Sequence, residues 1–323
     1  KKGNVQIAFV SILPQRDIVQ AIAGDRFKVH VLVGQGQDPH SFTPTGVQMA
    51  KLSEATLYFR IGVDFEEGIL PKLEKTMKSL TIVDLRKGIK MRKMGEGEYE
   101  EYTEHKEHGE HEEHAEHKEH GEHEEHAEHK EHGEHEEHSE HKEHGKHEEH
   151  NEHKHHHHEG DDPHIWLSPA LVKTMAVTIK DAFVKNDPEY KADYERNLKK
   201  LHKQLNSLDN SLKKSLAPYK GSTLFVFHPA FGYFADHYGI QQKAIEIEGK
   251  EPSARSLTKL IEEAKHDKVK VIFVQPQFSR KSAKTLAKHI GCIVVSINPL
   301  PENYLKEMRI LGNTISRGTM GDF

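Results

Sequence analysis

Cysteine is nearly absent from this chain. The 323 residues contain one, Cys292, which excludes an intramolecular disulfide and any zinc site built on paired thiolates. A single thiol does not fix the compartment. Also missing is an apolar run of the ~20 residues needed to cross a bilayer. No signal peptide stands before the first strand pattern: the chain opens on Lys1-Lys2 and enters VQIAFVSIL at once, as a processed mature chain would. No cluster of Lys and Arg with interleaved aromatics occurs, so nucleic acid is not an expected partner. Nor does the chain's histidine-rich tract contain HExxH, because its histidines recur three apart where that motif needs four.

Histidine, by contrast, is abundant. Of 29 histidines, 21 fall between His105 and His158. A 12-residue unit, EHKEHGEHEEHA, recurs with small changes from Glu104 to Asn151, and His155 to His158 follow as an unbroken run. Ala115 and Ala127 are the only apolar residues from Glu104 to Glu159. A period of three fits neither strand nor helix, so no apolar face exists to bury, and disorder is expected over residues 104–159. With nothing apolar to stack, the repeat implies no solenoid. Its 21 glutamates and 6 lysines leave the tract at −15 and, against a total of −6, the rest of the chain at +9. Imidazole is the commonest protein ligand for zinc. His105, His108, His111, His114, His117, His120, His153, His155, His156, His157 and His158 are accordingly read as accessory metal ligands. A flexible tract loses entropy for every ion it organises, so loose and unselective binding of several ions is expected.

The remaining 267 or so residues are enough for two sizeable cores. Before the tract, strand-like runs at 5–13, 27–33, 56–61 and 80–83 alternate with helical stretches at 15–23 and 66–77. After it, a helix is expected at 170–185. A stripe of Tyr190, Tyr194, Leu198, Leu201, Leu205, Leu208, Leu212 and Leu216, stepping by three and four, then predicts one long helix closed by Pro218. Strands at 223–227, 243–247, 269–274 and 293–297 alternate with helices at 231–237, 256–265, 281–289 and 302–315. Alternating β and α implies parallel sheets with helices on their faces. The expected fold is therefore α/β: two lobes, residues 1–186 and 218–323, joined by a rigid helix over 187–217, with the His-rich insertion in the first lobe.

Eight histidines lie outside the tract. His40 sits in GQGQDPHSFTPT, His164 in DDPHIWLSP and His228 in LFVFHPAFG. Each occupies a place where a strand end or loop meets a helix start, the edge at which parallel α/β sheets bind ligands. His40 and His164 share a DPH tripeptide, whose proline holds the preceding backbone extended. On chemistry alone each is either a metal ligand or a hydrogen-bonded loop histidine. His237 is helical and open to a role near a site. His202 lies off the leucine stripe and is expected to be exposed, His30 is read as structural, and His266 and His289 close helices, where a cation suits the dipole.

These contexts, in this order, resemble the metal-binding solute-binding proteins of ABC importers for zinc and manganese, most closely the zinc-uptake (ZnuA-type) branch. The resemblance is carried by VSILPQ, DPHSFTPT, DPHIWLSP, the long helix, FVFHPAFGYFADHYGI and VQPQFS, and it spans nearly the whole chain. It implies two α/β lobes joined by a helix and one metal ion in the cleft between them. The family's first three ligand positions fall on His40, His164 and His228; histidine at the third suits zinc better than manganese. Its fourth position, commonly Asp, is here Asn298, a poorer ligand, which leaves the fourth place to water, Asn298, a tract histidine or a nearby carboxylate. The resemblance further implies an extracytoplasmic location (the periplasm or the extracytoplasmic membrane surface), Zn²⁺ as transported cargo, a membrane permease as partner and no enzymatic activity; nothing in the sequence demands more than a monomer. Two other classes remain in view: a zinc hydrolase with an open fourth position, and a metal store or adhesin in which the tract dominates. Manganese or broad-metal binding is the variant of the transport reading.

Overall fold

The computed structural model describes residues 5–94, 160–246, 254–278 and 280–320. The tract expected to be disordered, with its accessory histidines, lies outside the described residues. The described residues fall in one compact unit.

The first sheet contains β1 (Gln6–Ile12), β2 (Phe27–Val33), β3 (Leu57–Arg60) and β4 (Thr81–Asp84), all parallel, in the order β2-β1-β3-β4. The central strand β1 carries the apolar run FVSI, flanked on both sides, and Phe9 pairs with His30 on one neighbour and Tyr58 on the other. Strands covered on both faces read as continuous apolar runs rather than alternating ones, which is why this segment was legible. Helices α1 (Leu13–Ala23), α2 (Gly46–Leu52) and α3 (Asp64–Thr76) make the crossovers. Helix α2 was not expected. Its signal is a T-x-x-Q capping box: Gln48 N donates to Thr45 Oγ1 at 3.3 Å, and Thr45 N donates to Gln48 Oε1 at 2.9 Å.

The second sheet repeats the design with β5 (Thr223–Val226), β6 (Gln241–Ala244), β7 (Val271–Val274) and β8 (Ile293–Ser296), parallel, in the order β6-β5-β7-β8. It is served by α6 (Gly232–Tyr238), α7 (Ala254–His266), α8 (Arg280–Ile290) and α9 (Tyr304–Met320). Strand β6 begins and ends earlier than the expected 243–247. Its pairing with β5 stops at Val226 opposite Ala244, so Glu246 lies just beyond the strand end.

Helix α4 (Pro169–Asn186) precedes the long helix α5 (Lys191–Leu216), about 39 Å at 1.5 Å per residue. Tyr190 falls in the short 3₁₀ turn before α5 rather than on its stripe, and its ring carries the Arg26 guanidinium at 3.7 Å. From Tyr194 to Leu216 the stripe is buried, save Leu198, which is partly so. Helix α5 packs along α4, α1 and α9. It is therefore the spine of a core shared by both sheets, and one apolar cluster runs continuously from β1 to α9. A smaller cluster lies under β7 and α8. Further cross-links hold the two sheets together: Trp166 Nε1 donates to Pro299 O at 2.7 Å, Tyr304 Oη donates to Trp166 O at 2.8 Å, and Arg16 pairs with Glu302 at 2.9 Å.

Candidate metal centre

The C-terminal ends of both parallel sheets face one cleft. The loop after β2 brings His40, the segment before α4 brings His164, and the end of β5 brings His228. One ring nitrogen from each, able to serve as a metal ligand, lies within 4.8 Å of the others. His40 Nε2 stands 3.2 Å from His228 Nε2, which stands 3.4 Å from His164 Nε2. Two imidazole nitrogens sharing one tetrahedral zinc at ~2.0–2.1 Å would lie about 3.3 Å apart. Both separations thus suit a common ion.

The local backbone explains the first two positions. In each DPH tripeptide the Asp side chain accepts the amide of the His two residues on: His40 N donates to Asp38 Oδ1 at 3.0 Å, and His164 N donates to Asp162 Oδ1 at 2.9 Å. Such an Asx turn, with proline between, presents the His side chain from a fixed loop. The third position is set from another direction. Gln275, just after β7, clamps the backbone of His228, accepting from His228 N at 3.2 Å and donating to His228 O at 2.7 Å.

Every one of the three rings is oriented by a carboxylate on its other nitrogen. His40 Nδ1 meets Asp64 Oδ2 at 2.7 Å, His164 Nδ1 meets Asp162 Oδ1 at 2.8 Å, and His228 Nδ1 meets Glu246 Oε1 at 2.5 Å. An Nδ1–H donated to a carboxylate fixes the tautomer and leaves Nε2 as a lone-pair donor, the arrangement seen around bound zinc. Aromatic rings hold the imidazoles from the side: Phe278 stacks on His228 with ring centroids 4.9 Å apart, and Trp166 lies 5.1 Å from His164.

His164 and His228 are buried, while His40 is partly exposed at the mouth. Burial, with the two neighbouring imidazoles, holds His228 down at about 4 against the upward pull of Glu246. Burial thus favours the neutral form, the one able to bind a metal ion. Burial also lowers His40, but Asp64 outweighs it and places the ring above the ordinary histidine value. The cavity holds about 20 Å³, room for one small occupant.

Asn298 is not among the residues lining this cavity. Its amide closes its own loop, with Nδ2 donating to Leu300 O at 3.1 Å and Oδ1 accepting from Leu300 N at 3.0 Å. The other histidines among the described residues lie apart from the cluster. His237 Nε2 meets Asp209 Oδ1 at 2.7 Å, binding α6 to α5. His202 is partly buried rather than exposed, and its Nε2 donates to Lys173 O at 3.1 Å. His30 packs on Phe9, and His266 and His289 sit at the ends of α7 and α8.

Sequence reasoning named the three imidazoles but missed Asp64, Asp162, Glu246 and Gln275. Asp162 was within reach, since it occupies the first place of a DPH tripeptide already singled out. Asp64 and Glu246 carry no local signal, being 24 and 18 residues from the rings they hold.

The chain matches the family described as zinc-uptake complex component A, periplasmic (ZnuA), over residues 9–318. The high-affinity zinc uptake system protein ZnuA of Bacillus subtilis is 30% identical over 305 residues, covering 93% of this chain and 80% of that protein. The zinc-binding lipoprotein AdcA of Streptococcus pneumoniae is 28% identical over 319 residues, covering 95% of this chain and 54% of the relative, so the chain spans about half the length of that lipoprotein. A crystal structure of ZnuA superposes with a TM-score of 0.76 at 30% identity, covering 98% of this chain and 99% of that one. With a match over so much of its length, this chain belongs to the zinc-uptake complex component A (ZnuA) family.

Proposed function

We propose that this chain captures one Zn²⁺ through Nε2 of His40, His164 and His228 and delivers it, outside the cytoplasm, to the membrane permease of an ABC importer. The observation that carries the reading is the set of three imidazoles, each bound to a carboxylate through Nδ1, with Nε2 atoms 3.2 and 3.4 Å apart. Three nitrogen donors suit zinc better than manganese, which favours carboxylate and water. The loops that supply the ligands come from both sheets, so an ion bound by all three ties one to the other. The chain acts as a monomer, and the tract over residues 104–159 gathers metal as an accessory, raising its concentration beside the cleft. A hydrolase would need a base beside the ion. The carboxylates of Asp64, Asp162 and Glu246 are each engaged by an imidazole, and that of Asp38 by the His40 amide and the Ser41 hydroxyl, which supports binding and release rather than turnover.

Zinc stoichiometry and affinity test this on three forms: the intact chain, the chain without residues 105–158, and the shortened chain with His228→Ala. One tight ion is expected to survive the deletion and to be lost with His228. If the deletion removes all tight binding, the tract holds an essential ligand and the three-histidine reading falls.

A further inference from the structure

The segment VQPQFS, singled out in the sequence without a role, sits against the cluster. Gln275 clamps the His228 backbone and Phe278 stacks on its ring. Between them Gln277 lines the same cavity as the three histidines. Its carbonyl oxygen Oε1 is shielded from solvent and accepts no hydrogen bond from the described residues. A buried carbonyl without a donor is costly, and a bound water or ion is one way a folded protein meets that cost. The donors nearest the cavity do not meet this need, because all three Nδ1–H groups are directed to carboxylates.

Charge points the same way. A dication held there already faces four carboxyl groups, those of Asp64, Asp162 and Glu246 on the rings and that of Asp38 in the cavity wall. A further carboxylate as fourth ligand would crowd more like charge together, whereas water would not. Water on a zinc ion is a strong hydrogen-bond donor, since the ion withdraws charge from its O–H bonds. What such a water requires is an acceptor in a dry pocket.

We propose that Gln277 Oε1 is that acceptor: it receives a hydrogen bond from the water that fills the fourth coordination position of the ion. This rests on the three-histidine reading and adds to it a residue that positions the last ligand. Gln277 thereby favours cations that keep a single water beside three nitrogens.

The test uses the full chain as wild type, Gln277→Leu, Gln277→Glu and His228→Ala. It reads the affinity of the tightest zinc site by chelator competition and the melting temperature without metal, and adds a crystal structure of the zinc-loaded wild type. Gln277→Leu is expected to weaken the tight site about tenfold, in the range for an outer partner of a metal ligand. Its metal-free melting temperature should hold or rise, because a buried acceptor without a donor is gone; a merely structural glutamine would give the reverse. Gln277→Glu, which keeps an acceptor, should retain tight binding. The crystal structure should show one water in contact with both zinc and Oε1. Unchanged affinity in Gln277→Leu with loss in His228→Ala overturns this proposal alone, as does a structure with Oε1 or another protein atom bonded directly to zinc. Unchanged tight binding in His228→Ala overturns the three-histidine reading and this proposal with it.

Discussion

Glu246 Oε1 accepts a 2.5 Å hydrogen bond from His228 Nδ1, and both side chains are buried. The pair settles which nitrogen of His228 faces the cavity. Changing Glu246→Gln keeps an acceptor but removes the charge that makes the imidazole a better donor to metal. Zinc affinity should fall about tenfold, the low end of the ~10–100-fold range for such partners. The fall should be smaller than in His228→Ala. Chelator competition on the two variants checks the order, and equal losses would contradict it.

Gly232 opens α6 directly against the segment that holds His164. A Cβ added there would run into the Arg92 guanidinium and come within 3.0 Å of Asp162 Oδ2. Asp162 is the carboxylate that orients His164. Gly232→Ala should therefore weaken zinc binding several-fold through a residue that never meets the ion. Calorimetric titration that finds wild-type affinity would show that the loop gives way freely.

Gly312 makes the contrasting case. It lies on α9 where a Cβ would overlap Leu212 Cδ2 on α5, a seam that carries none of His40, His164 and His228. Overpacking of this kind costs about 1–3 kcal/mol. Gly312→Ala should lower the melting temperature by several degrees while leaving zinc affinity alone. Loss of affinity without loss of stability would mean that the α5–α9 seam controls the cleft.

Asp209 joins α5 to α6 by accepting from His237 Nε2 at 2.7 Å, Tyr238 Oη at 3.1 Å and Lys213 Nζ at 2.8 Å. Burial raises its pKa, but Lys213 and His237 outweigh that and hold the carboxyl below its ordinary value. A depressed folded-state pKa contributes stability that is complete above the unfolded value of ~3.9 and is lost as pH falls through the folded one. Asp209→Asn should cost on the order of 1–2 kcal/mol at pH 7. The gap between variant and wild type should stay level down to about pH 5 and narrow below pH 4. Thermal melts across pH 3–7 measure it, and a gap that persists unchanged at pH 3 would exclude the charge as its source.

Much of the fold was legible in the sequence because its signals are local. The apolar run of β1, the three-and-four stepping of the leucines on α5, and the alternation of strands with helices follow from backbone periodicity. The three histidines were legible because each lies in a loop at a strand end or helix start, and parallel sheets gather such loops at one edge. Convergence was a different matter. The sequence set the residue types and the loops that carry them. Only the tertiary structure decided that Asp64 and Glu246 would turn Nε2 of His40 and His228 inward, that the Asn298 amide would close its own loop, and that Gln277 would keep a buried oxygen against the cavity. Those outcomes depend on contacts between chain segments far apart in sequence, where neither period nor propensity carries information. A loop's chemistry is written in its residues, but the direction in which a side chain points is fixed by whatever else packs around it.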